Sequence, residues 1–385
     1  MEKIRTEIYS LAFGLKGIGR IDGKVCFVKG ALPGEQVVFR VVRDKGRYLE
    51  GELLEVLEPS KHRITPECPY YGRCGGCQGQ HMDYSEELRY KEEQVDELLK
   101  RLAGTDSPAL LKIEPSSKEY GYRSTVTLHR RGGRTGFFGA DGKTLVPVEK
   151  CLLAEDALNK EIPGLDPRGQ RSDVTIKADA AGRTWSSERM GERFFTDTFR
   201  GFEMFFSPRS FSQANRYIAV RILEELEEWM GETDRDTAFF DPYCGSGFFT
   251  FLLDRDLGLR VGMDENRAAI DCAKTTLKKH GLKGVKFYRA DAEDKFFRIF
   301  ERCSLGKNIL LLDPPRRGVR KDLLEKIRNS EELDRVYYLA CDPARLARDV
   351  RILTEDGVWR LGRVKPFDMF PRTKHIEVLA ELTRG

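Results

Sequence analysis

The sequence predicts an α/β protein: a doubly wound, Rossmann-like sheet in the carboxyl-terminal half, preceded by a small OB-like β-barrel and a small α+β middle. Three observations carry this. From Tyr217 onward, short apolar runs alternate with amphipathic stretches, and runs end at Asp241, Asp264, Asp313 and Cys341. Strands alternating with helices build a parallel sheet that binds ligands at the carboxyl ends of its strands. The first 57 residues instead alternate in short runs turned by glycine, as in a closed barrel of the kind that carries single-stranded nucleic acid. Between the two lies a segment rich in proline, glycine and cysteine.

In the barrel, 18–25 alternates and turns at Asp22-Gly23, a hairpin signal. Ala31-Leu32-Pro33-Gly34-Glu35 makes a second turn before a strand at 36–43. The stretch 59–76 reads as a connection or a metal knuckle. At 84–102, Leu88, Val95, Leu98, Leu99 and Leu102 share one helical stripe. Strand-like alternation resumes over 125–148, broken at Gly132-Gly133 and Asp141-Gly142, and 160–205 is a mixture of strands and turns. Helices then follow at 218–229, 248–253 and 267–280, with strands at 237–240, 260–263, 285–288, 308–312 and 336–340. The expected units are 1–58, 59–205 and 206–385, with the helix at 84–102 able to pack on the last of them.

Of 385 residues, 40% are hydrophobic and 33% charged, which suits a globular protein and excludes a disordered one. The first residues lack a signal-peptide core, and the longest apolar runs are strand-sized, so a cytoplasmic protein without a membrane span is expected. With no heptad and no large apolar stripe, a monomer is expected. A net charge of +4 permits a nucleic-acid partner without demanding one. Basic residues cluster at Arg123, His129, Arg130, Arg131 and Arg134, and again at Arg316, Arg317, Arg320 and Lys321. Nine cysteines in such a chain point to metal binding or catalysis rather than disulfides, and Cys68, Cys74 and Cys77 stand together.

Asp241-Pro242-Tyr243-Cys244-Gly245-Ser246-Gly247 joins a strand to a helix, where glycines let a ligand approach backbone amides. About twenty residues on, Asp264 ends a strand and can accept both hydroxyls of a ribose. The position of a third glycine is Thr250, so the loop suits S-adenosylmethionine better than a dinucleotide pyrophosphate. Asp291 offers a carboxylate to an adenine amino group, or else caps a helix. Asp313-Pro314-Pro315 is followed by Arg316 rather than by an aromatic residue, which argues against methylation of an exocyclic amine. Cys341, leaving a strand on the ligand-binding face, can add as thiolate to C6 of a pyrimidine and activate C5 towards a sulfonium methyl. The C5 proton then needs a base; Glu377 is the first choice and His375 the second.

Asp313-Pro314-Pro315-Arg316-Arg317-Gly318, Cys341-Asp342-Pro343 and the run from Phe367 to Glu377 resemble, in order and spacing, the three catalytic motifs of the S-adenosylmethionine-dependent RNA 5-methyluridine methyltransferases. The likeness is to the iron–sulfur-containing 23S ribosomal RNA branch and covers nearly the whole chain. It implies a methyltransferase domain in which Cys341 is the nucleophile and Glu377 the base. Gln213, in Phe211-x-Gln213-x-Asn215, would contact S-adenosylmethionine, with Tyr243, Gly245, Asp264, Asp291 and Asp313 around the same site. Gly30 to Glu35 resembles the telling run of a TRAM domain, an RNA-binding module. Cys68, Cys74 and Cys77 with the distant Cys151 resemble the family's ligands to a [4Fe–4S] cluster, whereas spacing alone leaves zinc open. Ribosomal RNA is the expected substrate, with transfer RNA as the close alternative and an inactive, cluster-carrying RNA-binding protein as the distant one. Cytosine methylation is disfavoured, since the proline-cysteine pair it uses is absent around Cys341.

Three positions depart from the family pattern: Pro242, Phe248 and Asp342 stand where leucine, asparagine and asparagine are usual. A carboxylate at Asp342 is expected to raise the neighbouring thiol unless Arg316 compensates.

Overall fold

The computed structural model describes residues 3–103, 109–169, 171–188, 194–208 and 210–385. Residues 170 and 189–193, inside the mixed stretch at 160–205, lie outside the described residues.

Strands β1 (Lys3–Ala12), β2 (Lys16–Ile21), β3 (Lys24–Lys29), β4 (Gln36–Asp44) and β5 (Tyr48–Glu58) close into a barrel in the order β1-β2-β3-β5-β4. Asp22 and Gly23 both take positive φ, 47° and 81°, the turn that matches strand twist in a tight hairpin. Alternate side chains, among them Ile8, Cys26, Val28, Val37 and Phe39, fill the interior. Glu35 anchors the barrel to the chain that follows. Its buried carboxylate accepts the Leu32 amide at 2.8 Å and pairs with Arg63, which also donates to the Gly30 carbonyl.

Helix α1 (Tyr84–Leu98) is capped by Asp83, which accepts the Glu86 amide at 2.9 Å, and runs on through a π-helical turn to Ala103. Its stripe packs on the carboxyl-terminal sheet: Val95 and Leu99 belong to that core. The short β6 (Ala109–Leu110) extends the same sheet at its edge. The middle of the chain forms its own five-stranded sheet, from β7 (Thr125–Arg131), β8 (Arg134–Phe138), β9 (Leu145–Pro147), α2 (Asp156–Glu161), β10 (Asp173–Ala178) and β11 (Thr184–Ser186). A hairpin, β12 (Phe195–Phe199) and β13 (Phe202–Phe206), follows.

The carboxyl-terminal half alternates as expected: α3 (Arg216–Met230), β14 (Thr237–Asp241), α4 (Phe248–Leu252), β15 (Leu259–Asp264), α5 (Arg267–His280), β16 (Val285–Arg289), α6 (Ala292–Phe300), β17 (Lys307–Leu312), α7 (Lys321–Asn329), β18 (Arg335–Ala340) and α8 (Pro343–Thr354). The chain closes with β19 (Trp359–Phe367) and β20 (Glu377–Arg384). The sheet order is β16-β15-β14-β17-β18-β20-β19-β6. β14 to β18 pair in parallel, and β20 enters antiparallel between β18 and β19. One face buries residues of α1, α6, α7 and α8; the other buries α3, α4, α5 and the β12–β13 hairpin. α1, as allowed for the helix at 84–102, packs into the carboxyl-terminal core, and so do β6 and the β12–β13 hairpin.

Among the described residues no helix is long and apolar enough to cross a membrane.

Candidate active site

Parallel strands present their carboxyl ends at one edge, and β20, running the other way, brings its first residue to that edge. Asp241 and Asp264 end β14 and β15, Asp313 follows β17, Cys341 follows β18, and Glu377 starts β20. The Ala340–Val378 rung is the last of the β18–β20 ladder. Cys341 and Glu377 sit one step beyond it, side by side on neighbouring strands.

A cleft of about 450 Å³ opens over this edge. Its lining includes Gln213, Tyr243, Gly245, Asp264, Asp291, Asp313, Cys341 and Glu377: every residue singled out from the sequence for nucleoside binding or catalysis. It also includes Phe211, 69% exposed at the mouth, with Arg316, Met369, Phe370 and His375.

The loop after β14 is held by strand ends. The Cys244 amide donates to the Met263 carbonyl (2.8 Å) and the Gly245 amide to Asp264 Oδ2 (3.0 Å), while Asp264 Oδ1 accepts the Asn266 amide (2.7 Å). Gly247 has φ 89°, and a Cβ there would lie 2.9 Å from the Phe251 and Phe287 rings; only glycine brings the backbone this close. Burial raises Asp264 above the ordinary carboxylate range. Asp241 lies beneath the loop, accepts the Thr250 hydroxyl at 2.8 Å, and is pushed up to about 8 by burial. Asp241 Oδ1 and Ser246 Oγ are buried without a partner. A polar, cationic nucleoside fits a cleft with this acidic, amide-lined wall.

Asp291 caps α6, accepting the Glu293 amide at 2.8 Å, and it also lines the cleft. Phe248, where a polar residue was usual, packs edge-on against Phe199 of the hairpin and Phe249. A polar contact is replaced by apolar packing in the core.

Asp342 caps α8, accepting the Ala344 and Arg345 amides at 3.0 and 3.3 Å, and the leading charges on Cys341 are Glu377 and Asp313 instead. The Cys341 thiol is pushed up to about 12 by burial first, then by Glu377 and Asp313, with Arg316 acting the other way. Burial pushes Asp313 up to about 7 and, with Asp313 beside it, raises Glu377 strongly; Arg316 opposes the latter. Burial, Arg316, Lys374 and Arg123 lower the His375 imidazole to about 4, so it is a far weaker proton acceptor than an ionised Glu377.

Local reading missed the buried network beneath the cleft. Lys91 of α1, fully buried, pairs with Glu87 and with Asp368, each at 2.7 Å. Tyr84 donates to Asp368 at 2.8 Å, the Arg372 amide donates to Glu87 at 2.8 Å, and Asn215 donates to the Met369 carbonyl at 3.2 Å. These contacts hold the loop that carries Met369, Phe370 and His375. Nothing in the spacing of α1 singles out Lys91, whose partner Asp368 is far away in the sequence.

A second cavity lies in the middle of the molecule, where Cys68, Cys74, Cys77 and Cys151 line one space with Tyr70, Tyr71, Phe137 and Arg123. Cys74 faces Gly139 across an isolated bridge, and Asn159 brackets Cys151 through two hydrogen bonds. The two distant parts of the motif thus meet. Among the described residues no three His, Cys, Asp or Glu side chains converge as a set for one metal ion.

Sheet order and acidic strand ends define the fold of an S-adenosylmethionine-dependent methyltransferase. Residues 195–384 match the tRNA (uracil-5-)-methyltransferase family, and residues 5–54 match the TRAM domain. An RNA methyltransferase of Aquifex aeolicus is 30% identical, with 98% of each chain covered. The 23S rRNA (uracil(1939)-C(5))-methyltransferase RlmD of Aeromonas hydrophila is 29% identical over 100% of this chain and 97% of its own. The structure of Pyrococcus abyssi tRNA (uracil-54, C5)-methyltransferase with S-adenosyl-L-homocysteine shares the fold, with a TM-score of 0.73 at 21% identity, covering 99% of this chain and 100% of that one. The chain belongs to the S-adenosylmethionine-dependent RNA uracil-C5 methyltransferase family.

Proposed function

We propose that this protein methylates C5 of a uridine in structured RNA, 23S ribosomal RNA first among candidates, through a covalent bond between Cys341 and C6. The observation that carries the reading is the pairing of Cys341 and Glu377 across neighbouring strand ends, in a cleft that also holds Asp264, Asp291 and Asp313. Bound S-adenosylmethionine supplies an electrophilic methyl group on a sulfonium. Asp264 accepts ribose hydroxyls, Asp291 an adenine amino proton, and Gln213, Tyr243, Gly245 and Asp313 complete that wall.

Cys341, as thiolate, adds to C6, and the electron pair of the C5–C6 double bond moves to C5, which takes the methyl group as the donor's sulfur–methyl bond breaks and a neutral thioether is released. C5 then bears both hydrogen and methyl. Glu377 removes that hydrogen as a proton, the double bond re-forms, and the Cys341 sulfur leaves. Arg316, the cation that faces both Cys341 and Glu377, offsets the negative charge gathered there.

Cys68, Cys74, Cys77 and Cys151 are assigned to a [4Fe–4S] cluster. Three closely spaced thiols and one remote one, lining a single cavity, would suit a soft metal group such as this one. Iron and acid-labile sulfide in equal amounts, with broad visible absorption, are expected; stoichiometric zinc would refute the assignment.

Tritiated S-adenosylmethionine, incubated with 23S ribosomal RNA and separately with transfer RNA from cells lacking 5-methyluridine, tests the reaction. Label is expected at uridine C5 of the ribosomal RNA, lost in Cys341→Ala, with a trapped protein–RNA adduct in Glu377→Gln. Label confined to transfer RNA would move the substrate, and label surviving in Cys341→Ala would overturn the mechanism.

A further inference from the structure

Between the cysteine cavity and the cleft lies a contact that the catalytic roles leave unused. Gln78 directly follows Cys77. Its side-chain Nε2 donates to the Gly75 carbonyl at 2.8 Å, inside the cysteine loop. Its Oε1 accepts the Lys374 backbone amide at 3.1 Å, in the loop that ends at Glu377. The main chain repeats the connection. The Gln78 and Gly79 amides both donate to the Arg372 carbonyl at 3.0 Å, and the Gln78 carbonyl accepts the Tyr71 hydroxyl at 2.9 Å.

Both ends of this bracket are rigid. Gly75 donates to the Phe138 carbonyl at 2.9 Å, and a Cβ on it would lie 2.8 Å from the Gly139 carbonyl oxygen, so the cysteine loop is seated against β8. On the other side Arg372 holds φ 66°, and its guanidinium donates to the Met82 carbonyl at 2.8 Å and pairs with Glu87 and Glu119. Lys374 itself is exposed. Without the Gln78 side chain its amide would bond to water, and the segment between Arg372 and His375 would lose one of its fixed points beside the cleft.

We propose that Gln78 is a positioning residue: it brackets the cysteine loop to Lys374, so that the seating of the four thiols sets where the approach to β20, with the cleft residue His375, stands. The kinetic part of the test rests on the methylation reading; the hydrogen-exchange part does not.

The full-length protein is compared with Gln78→Met, which keeps the length but makes neither hydrogen bond, and Gln78→Glu, which keeps the acceptor for Lys374. Amide exchange over 372–377, steady-state kinetics, metal content and thermal unfolding are measured. For Gln78→Met, exchange at Lys374 and His375 is expected to quicken about tenfold. kcat is expected to fall about five- to tenfold, the scale of one lost hydrogen bond, with KM for S-adenosylmethionine, metal content and unfolding midpoint unchanged. Gln78→Glu, which keeps only the Lys374 half of the bracket, is expected to lose less kcat than Gln78→Met. Wild-type exchange in Gln78→Met overturns the proposal. So does an equal loss in Gln78→Glu, or a kcat loss that appears only together with lost metal or a lowered midpoint. If the wild type methylates no RNA, the reaction assignment fails, and exchange at Lys374 still decides the role of Gln78.

Discussion

At the scale of single residues, the chemistry depends on a thiol that is not ionised in the ligand-free protein. Burial and two carboxylates hold Cys341 at about 12, so its thiolate fraction at neutral pH is small and grows about tenfold per pH unit. Alkylation of Cys341 by iodoacetamide is therefore expected to be slow at pH 7 and to climb steadily through pH 9. Asp313→Asn, which removes one of the raising charges, should accelerate it at fixed pH. Arg316→Met should slow it. A plateau already reached at pH 7 would contradict the arrangement. The cap at Asp342 predicts a different pattern for that residue: Asp342→Asn should leave alkylation within about twofold, because asparagine caps equally well. Asp342→Ala should cost about 1 kcal/mol of stability. The sequence showed Asp342 beside Cys341 and so pointed to electrostatics. What it could not show is the backbone turn that aims the carboxylate at the first amides of α8.

At the scale of elements, strand ends were legible because their signals are local. β14, β15, β17 and β18 are short apolar runs, and the acids or cysteine that end them are next in sequence. The role of α1 was less legible. Its stripe announced a helix, but Asp368 joins the Glu87–Lys91 pair only in the folded chain, 277 residues away from Lys91. Lys91→Ala removes the cation that pairs with both buried carboxylates and should cost about 3–5 kcal/mol, the usual scale for breaking a buried ion pair. Equilibrium unfolding in urea measures this, and Glu87→Gln combined with Lys91→Met should recover part of it. A loss below about 1 kcal/mol would mean that the network holds the catalytic loop weakly. The hairpin β12–β13 was hidden for another reason. Its phenylalanines read as generic strand until Phe199 is seen against Phe248.

At the scale of the molecule, several acids under one cleft set the response to pH. The native values for Asp241, about 8, and Asp313, about 7, exceed the unfolded ones, and Glu377 shifts the same way. The folded protein thus binds more protons than the unfolded chain between roughly pH 4 and 8. The stability these groups contribute is complete below the unfolded values and is lost as pH rises through the folded ones. Unfolding midpoints of the ligand-free protein should therefore fall between about pH 7 and 9, where histidines no longer titrate, and Asp241→Asn should recover about 2 °C at the upper end. An unchanged slope in that variant would count against Asp241. The barrel answers to a separate lock. Arg63→Ala strands the buried Glu35 carboxylate and should open 59–63 to proteolysis while S-adenosylmethionine binding is retained.

The antiparallel entry of β20 has a consequence for how such a chain can diverge. The gap between Cys341 and Glu377, the proposed nucleophile and base, is one rung of a ladder, so it is independent of the length of chain that separates them. Insertions after α8, or a longer approach into β19, leave the reacting pair in place. A single residue added between Glu377 and Val378 shifts the phase of the pleat and turns the carboxylate to the other face of the sheet. Lineages can thus remodel the connection freely, whereas the first step of β20 tolerates no change of length.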